Sequence, residues 1–341
     1  MRRICTALLT AALALALAAC GGSAAPGGAP AELQTIRLAL DWTPNTNHTG
    51  LYVAQQRGWF REAGLDVQFL PYGSASPDTL VSSGAAEFGI SFQDSFTFAK
   101  ASGADTTSVL AVLQHWGSAI GVRGDRTDIA TPRDLDGKIY GGFGSPSEGP
   151  KMRSVIKAAG GRGEFQTVVL GSSAYEAVQS GQADFTEPFV AWEGIEAQLA
   201  GHPFRTFAYT DFGLPDSYSV IVIGNSPWLA AHPDLARKFV QAAQRGYQLG
   251  ADDPAAAAQA LLDANPDLAP SAELVRQSQQ MLATSYLKDA TGRVGTQTLD
   301  RWAGYSGWVY DQGVLTGPDG APLAAKPDFA TWFTDDYLAT P

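Results

Sequence analysis

Four side chains suited to holding a flat ring stand close together in the stretch DWTPNTNH. Trp42 offers a stacking face, Asn45 and Asn47 offer amides, and His48 offers an imidazole. The stretch follows an apolar run and leads into a helical pattern, so it marks a strand-to-helix junction. In open α/β sheets, ligands bind at such junctions, outside the carboxyl ends of the strands. These residues therefore predict a site for a planar heteroaromatic solute.

A weak internal repeat points to residues at two further strand ends. Residues 81–88 recur in kind at 178–185, in six positions of eight, with a constant offset of 97 residues (178 minus 81). The repeat predicts two lobes of similar topology, each with the end of its third strand at a shared cleft. Gln93 and Asp94 take that place in one lobe, and Glu187 and Phe189 take it in the other.

Aromatic residues gather at predicted strand ends and loops, where two hydrophobic cores do not need them. We expect several of them to form stacking walls around a ligand. They are Trp42, Tyr72, Trp116, Phe143, Phe189, Trp192 and Tyr218.

The glycine-rich loop GGFGSPSEGP precedes a predicted helix and contains Ser145, Ser147 and Glu148. Backbone N–H groups at such a place, together with hydroxyls, can bind a polar solute or an anion. A phosphate on the solute would bind here, but the negative charge of Glu148 argues against phosphate. We therefore expect Ser145 to contact an uncharged polar solute.

The elements that must position these residues follow an alternating order. Strands at 36–40, 64–70 and 84–90, with helices between them, predict a parallel sheet, and a second βαβ series starts near residue 131. A strand at 219–224 returns to the first lobe, on which four helices pack, at 234–250, 253–263, 271–286 and 296–312. We expect a discontinuous lobe 1, residues 33–123 with 220–341, and a lobe 2, residues 124–219.

The first residues predict a signal peptide over 1–19. A basic pair precedes an apolar core, and Leu17-Ala18-Ala19-Cys20 resembles a bacterial lipobox, in which the cysteine becomes the lipidated N-terminus. Cys20 is the predicted lipid anchor on the outer face of the cell membrane, and residues 20–32 are a flexible tether. Since Cys5 leaves with the signal, no thiolate metal site or disulfide is expected.

Composition and motifs exclude several function classes. A net charge of -11 and a pI near 4.8 argue against nucleic acid, because no basic stripe exists to neutralise phosphates. The chain has no Gly-x-Ser-x-Gly elbow, His-Glu-x-x-His pair or phosphate loop, and its four histidines are scattered. We predict no catalytic residue, no metal site and no cofactor.

Five stretches together resemble a known family. They are DWTPNTNHTGLYVAQQRGWF, GLDVQFLPYGSASP, LVSSGAAEFGISFQDSF, TPRDLDGKIYGGFGSPSE and AWEGIE, and the resemblance runs over about residues 36–224. The chain is similar to the bacterial solute-binding lipoproteins of ABC importers that take up thiamine pyrimidine precursors, and to the related pyrimidine synthases. The resemblance implies an α/β fold of the periplasmic-binding-protein type, with two lobes, each a mainly parallel sheet flanked by helices, that close on a solute. It also implies permease and ATPase partners and a monomeric binding protein.

The resemblance further implies a site for a pyrimidine ring, held by aromatic residues and a carboxylate near Trp192-Glu193-Gly194. An aminopyrimidine presents a ring nitrogen beside an exocyclic amine, and one carboxyl group can pair with both if a proton is shared. Glu187, supported by the repeat, and Glu193, supported by the family motif, are both candidates. His48 matches the histidine of the synthases, but the cysteine-rich stretch of that branch is replaced by GLPDSY at 213–218, so His48 is not expected to be catalytic.

Three alternatives stay open. Riboflavin would use the same aromatic residues, with Asn45, Asn47 and Gln93 pairing with its imide edge. A pyrimidine-synthesising enzyme would require turnover on this scaffold. An adhesin or structural lipoprotein would not close on a solute.

Overall fold

Two five-stranded sheets organise residues 32–340, the part of the chain that the computed structural model describes. In chain order the strands of this part are β1 (Gln34–Ala39), β2 (Leu65–Leu70), β3 (Phe88–Ser91), β4 (Thr106–Ala111), β5 (Ile120–Arg123), β6 (Ile139–Gly142), β7 (Gln166–Val169), β8 (Phe185–Thr186), β9 (Phe204–Phe207) and β10 (Ile221–Asn225). The first sheet has the order β2-β1-β3-β10-β4, and the second has the order β7-β6-β8-β5-β9.

The two sheets repeat one topology. In the first, β1 pairs in parallel with β2 and β3, while β10 runs antiparallel to β3 and β4. In the second, β6 pairs in parallel with β7 and β8, while β5 runs antiparallel to β8 and β9. Each sheet therefore has four strands in one direction and one reversed strand. The similar topology predicted from the repeat is confirmed, and β3 and β8 start at the matching residues Phe88 and Phe185.

The chain crosses between the sheets earlier than the sequence suggested. We expected the crossing after Arg123, but β5 already pairs with β8 and β9 in the second sheet. The two connections between the sheets are therefore residues 112–119 and 208–220. The hydrophobic pattern of a short apolar strand does not show which sheet the strand joins. The boundary is therefore visible only from the strands with which β5 pairs.

Helices cover the sheets. They are α1 (Thr49–Gln56), α2 (Trp59–Glu62), α3 (Pro77–Ser82), α4 (Gln93–Ala101), α5 (Glu148–Ala158), α6 (Ala174–Ser180), α7 (Ile195–Leu199), α8 (Ser226–Ala231), α9 (Pro233–Asp252), α10 (Pro254–Ala264), α11 (Ala272–Ser285) and α12 (Leu299–Asp311). Side-chain caps from Asn225, Asp253 and Thr298 begin α8, α10 and α12, because each satisfies a backbone N–H of the first turn. None of the helices in the described ranges is long and apolar enough to cross a membrane.

The long C-terminal helices fix the first sheet from one side. Phe239 and Tyr247 of α9 are buried in the core that Ile36 and Leu38 of β1 form. Helices α1 and α9 touch at two glycines: a Cβ added to Gly246 would lie 1.9 Å from the carbonyl oxygen of Gly50. Only residues without side chains permit this approach.

The predicted signal peptide, the lipid anchor at Cys20 and most of the tether lie outside the described residues.

Candidate functional site

A cavity of about 270 Å³ lies where four strands of the two sheets end. Trp42 follows β1, Asp94 follows β3, Phe143 follows β6 and Glu187 follows β8, and all four line the cavity. The carboxyl ends of parallel strands are the places where open α/β folds bind ligands. Corresponding strand ends of the two repeated units, β1 with β6 and β3 with β8, therefore line the same cavity.

Ten of the thirteen predicted ligand residues line this cavity. They are Trp42, Asn45, Trp116, Phe143, Ser145, Glu187, Phe189, Trp192, Glu193 and Tyr218. The structure does not bring His48, Tyr72 and Gln93 into the cavity wall.

Each of those three has a different place. His48 is fully buried, and its Nε2 lies 2.7 Å from Asp41 Oδ1, so it orients a carboxylate that does line the cavity. Gln93 is also fully buried, and its Oε1 accepts a hydrogen bond from the Tyr218 N–H at 2.9 Å. Tyr72 is half exposed and packs against the ring of Trp42, with centroids 4.9 Å apart. All three support wall residues from behind or outside.

The amide of Asn45 is engaged in its own turn. Its Oδ1 accepts a hydrogen bond from the Asn47 N–H at 2.9 Å, and its Nδ2 donates to the Thr43 carbonyl at 3.1 Å. This is the geometry of a helix N-cap, so the Asn45 amide holds the junction in shape. Asn47 also reaches the cavity wall.

A buried ion pair forms one side of the cavity. The Lys151 ammonium lies 2.9 and 3.0 Å from the two carboxylate oxygens of Glu187, and Ser118 Oγ donates to the same carboxylate at 2.8 Å. Burial lowers the pKa of Lys151, but the charges of Glu187 and Asp94 outweigh it and leave the pKa above its ordinary value. The ammonium also lies over the rings of Trp116 and Tyr209. Both Glu187 oxygens are thus already occupied by groups of the protein.

Glu193 has a different environment. It lies in a π-helical turn, Val190–Gly194, and its Oε2 accepts a hydrogen bond from the Phe189 N–H at 3.1 Å. Burial raises the pKa of Glu193 to about 7, against the lowering effects of its own backbone N–H and of the Phe189 N–H, and the charge of Glu196 adds to the rise. π-Helical turns are rare and occur often at functional sites. Glu193 is therefore a cavity carboxyl with an oxygen available to a ligand and a proton available near neutral pH.

The glycine-rich loop closes on a carboxylate of its own chain. Glu148 accepts hydrogen bonds from the N–H groups of Phe143 at 3.0 Å, Gly144 at 3.4 Å and Ser145 at 2.9 Å. The carboxylate lies so close to the backbone that a Cβ on Gly142 would be 2.5 Å from Oε2. Burial is the main cause that raises the pKa of Glu148.

Asp94 joins the two sides of the cavity. It follows β3 of the first sheet and accepts hydrogen bonds from Ser147 Oγ at 2.7 Å and Ser145 Oγ at 3.2 Å, both in the loop after β6 of the second sheet. Tyr305 of α12 donates to its other oxygen at 2.7 Å.

Asp216 joins the two connections between the sheets. Its carboxylate accepts from the N–H groups of Trp116 at 3.1 Å and Ser217 at 2.9 Å, and it lies 2.6 Å from both His115 Nδ1 and Arg301 Nη1. Burial would raise the pKa of Asp216, but the hydrogen bond with His115 and the charge of Arg301 hold it below the ordinary value. Arg301 also donates to the Gln114 carbonyl.

Several wall residues were not among the predicted ligand residues. Asp41, Asp94, Glu148 and Lys151 are charged, and Phe92 and Tyr175 add two rings. The repeat had marked Asp94, and the loop had marked Glu148. Lys151 carried no signal, because a lysine near the start of a helix is usually exposed. Within residues 32–340 no group of three or more His, Cys, Asp or Glu side chains is arranged to hold a metal ion.

Comparison with known proteins finds one family and several relatives. The family described as NMT1/THI5 like matches residues 45–257. A formylaminopyrimidine-binding protein of Halalkalibacterium halodurans is 28% identical over 284 residues, 81% of this chain and 85% of that protein. A 4-amino-5-hydroxymethyl-2-methylpyrimidine phosphate synthase of Saccharomyces cerevisiae is 24% identical, covering 90% and 88%. The riboflavin-binding protein RibY of Chloroflexus aurantiacus is 25% identical, covering 66% of each chain.

The fold is also matched by solved structures. A Candida albicans protein, described as having the generic periplasmic binding protein structural fold, superposes with a TM-score of 0.64 at 17% identity, covering 91% of this chain and 99% of that one. The fold class implied by the resemblance is therefore confirmed.

Proposed function

The chain belongs to the NMT1/THI5-like family, and on that premise we propose that it is the solute-binding component of an ABC importer for a thiamine pyrimidine precursor. The solute is a hydroxymethyl- or formylamino-pyrimidine. The protein acts outside the cytoplasm as a monomer, anchored to the membrane through a lipid on Cys20, and delivers its solute to permease and ATPase subunits. Two lobes close on the solute. Lobe 1 is residues 33–123 with 220–341, without β5, and lobe 2 is residues 124–219 together with β5.

The observation that carries the proposal is the state of Glu193. A 4-aminopyrimidine needs one group that can meet a ring nitrogen and an amine together, and a carboxyl that shares one proton with the ring does this. Glu187 is occupied by Lys151 and Ser118, whereas Glu193 keeps an oxygen free and has a pKa of about 7. We assign the pairing role to Glu193 and the role of a fixed wall to Glu187.

The aromatic walls and the size of the cavity support a single ring. Phe92 and Phe189, one from each side, meet edge to face with centroids 6.1 Å apart, and Trp42 and Trp192 add further apolar surface. The volume of about 270 Å³ lies just below the range of roughly 300–1,000 Å³ usual for drug-sized ligands. A pyrimidine with a short substituent matches this space better than a three-ring flavin with a ribityl chain.

Titration calorimetry on the chain tests this proposal. We expect hydroxymethyl- or formylamino-pyrimidine to bind with a Kd of about 1 µM or tighter, which is about -8 kcal/mol. Glu193→Ala should weaken binding at least about tenfold, since it removes both the acceptor for the amine and the proton shared with the ring nitrogen. The matched control Glu164→Ala removes a carboxylate from an exposed side chain outside the cavity and should change the affinity less than threefold. Tight riboflavin binding without pyrimidine binding would overturn the assignment of the solute.

Riboflavin remains the second candidate because amides at the wall suit its imide edge. Asn47 lines the cavity, but the side chain of Asn45 is held within its own turn and Gln93 is turned away from the cavity. Two of the three amides that favoured riboflavin are therefore engaged elsewhere.

An enzymatic role has less support from the site. His48, which matches the histidine of the synthases, is fully buried and bonded to Asp41. A search for product after incubation with candidate substrates checks this, and any turnover would revive the enzyme hypothesis.

A further inference from the structure

A phosphate group on the solute would have one natural place in this cavity, the loop between β6 and α5. Gly144 has a positive φ of 95°, and the N–H groups of Phe143, Gly144 and Ser145 converge on one point. Successive backbone N–H groups in such a turn form an anion-binding concavity. In this chain the Glu148 carboxylate fills that point.

Among the described residues that line the cavity, Lys151 is the one cation, and it is already paired. Lys151 is 3% exposed, and both oxygens of Glu187 bind its ammonium. Against this one ammonium the wall carries five carboxyl groups, which belong to Asp41, Asp94, Glu148, Glu187 and Glu193. A phosphate ester brings a charge of about -1.5 to -2 near neutral pH. In this loop it would find the three N–H donors already bound to Glu148, and it would face like charge beside an ammonium that is already paired.

We infer that Glu148 acts as a built-in anion, a specificity-determining residue that fills the phosphate place of the loop and restricts the site to unphosphorylated solutes. The inference rests on the proposed function, because it takes the cavity to be the solute site. It adds the chemical class of the substituent: hydroxyl, amide or another uncharged polar group, and no phosphate.

Two matched pairs of ligands test the inference by calorimetry. Hydroxymethylpyrimidine is compared with its phosphate ester, and riboflavin with riboflavin 5′-phosphate. In whichever pair the neutral member binds, the ester should bind at least about 100-fold more weakly to the unaltered protein. Equal or tighter binding of the ester would overturn the inference and leave the proposed solute class intact.

Variants test whether Glu148 causes the weaker binding of the phosphate ester. Glu148→Ala empties the loop, and the ratio of ester to neutral affinity should rise at least about tenfold, or 1.4 kcal/mol. Glu164→Ala removes an equal charge from an exposed side chain of lobe 2 and should leave the ratio of ester to neutral affinity unchanged. Glu148→Gln keeps the shape if the alanine variant does not fold, and it should raise the ratio in the same direction. A ratio unchanged in both Glu148 variants would refute the role of this residue.

A probe without any organic solute separates the two proposals. Inorganic phosphate, compared with chloride at equal ionic strength, should raise the melting temperature of Glu148→Ala but not that of the unaltered protein or of Glu164→Ala. If neither neutral ligand binds, the proposed function fails, and this measurement still decides the inference. Phosphate stabilisation of all three proteins, or of none, would overturn it.

Discussion

Neutralising Glu193 should make the protein more stable at alkaline pH. Burial raises the pKa of Glu193 from 4.5 to about 7, a difference of about 2.5 units. Since one unit corresponds to about 1.36 kcal/mol, ionising this carboxyl in the folded protein costs about 3 kcal/mol of stability. The folded state holds the proton of Glu193 more tightly than the unfolded state does. The stability contributed by the protonated carboxyl is therefore complete below pH 4.5 and is lost as the pH rises through about 7.

Glu193→Gln has no proton to lose and should not show this loss. We expect the variant and the parent to have similar free energies of unfolding at pH 4.5, and the variant to be more stable by up to about 3 kcal/mol at pH 8. Urea unfolding at both pH values measures the difference; with a slope of about 3 kcal/mol/M the midpoint should shift by about 1 M. Asp78, whose pKa burial raises to about 6, is present in both proteins and cancels from the comparison.

The reasoning fails if the stability difference between variant and parent is the same at pH 4.5 and pH 8. The same proton should also govern binding. When one proton is shared in the complex, affinity for an aminopyrimidine falls about tenfold per pH unit above the pKa of about 7, and Glu193→Gln should lose that dependence. An affinity of the parent that does not change between pH 7 and 9 would contradict the shared proton.

Three further predictions concern the walls and their supports. Lys151→Met leaves the Glu187 carboxylate buried without its cation and should destabilise the protein by about 3–5 kcal/mol in urea unfolding, whereas an effect below about 1 kcal/mol would show that water solvates Glu187. Asp94→Ala removes the acceptor that joins both sides of the cavity, and calorimetry should find at least about tenfold weaker pyrimidine binding; unchanged affinity would refute its role in holding the loop. Gly246→Ala places a methyl group against Gly50 and should lower stability by about 3 kcal/mol or more, with binding retained in the fraction that folds.

The architecture was predictable because it rests on repeated local patterns. Alternating strands and helices gave the α/β class, and the offset of 97 residues gave two sheets of one topology. The four C-terminal helices were each predicted to within about three residues at their ends. The pairing of β5 with β8 and β9 could not be predicted, because strands distant in sequence pair without a signal in the local sequence.

The site was predictable in position more than in the role of each side chain. Strand ends located most of the wall, but His48 and Gln93 lie at the same strand ends and face inward, where they satisfy Asp41 and the backbone of Tyr218. A polar residue at a junction serves the ligand or the scaffold according to its rotamer, which sequence does not give. Likewise, the burial of Lys151 depends on a carboxylate 36 residues away.

The cluster at Asp216 has a mechanical consequence. Its single carboxylate binds both connections between the sheets as well as α12, so a rotation of one sheet against the other either turns about this point or breaks its bonds with Trp116, His115 and Arg301. A pivot at Asp216 would give the smallest displacement near that residue, and the displacement would grow with distance from it. Asp216 would then act as the pivot about which the cavity opens and closes.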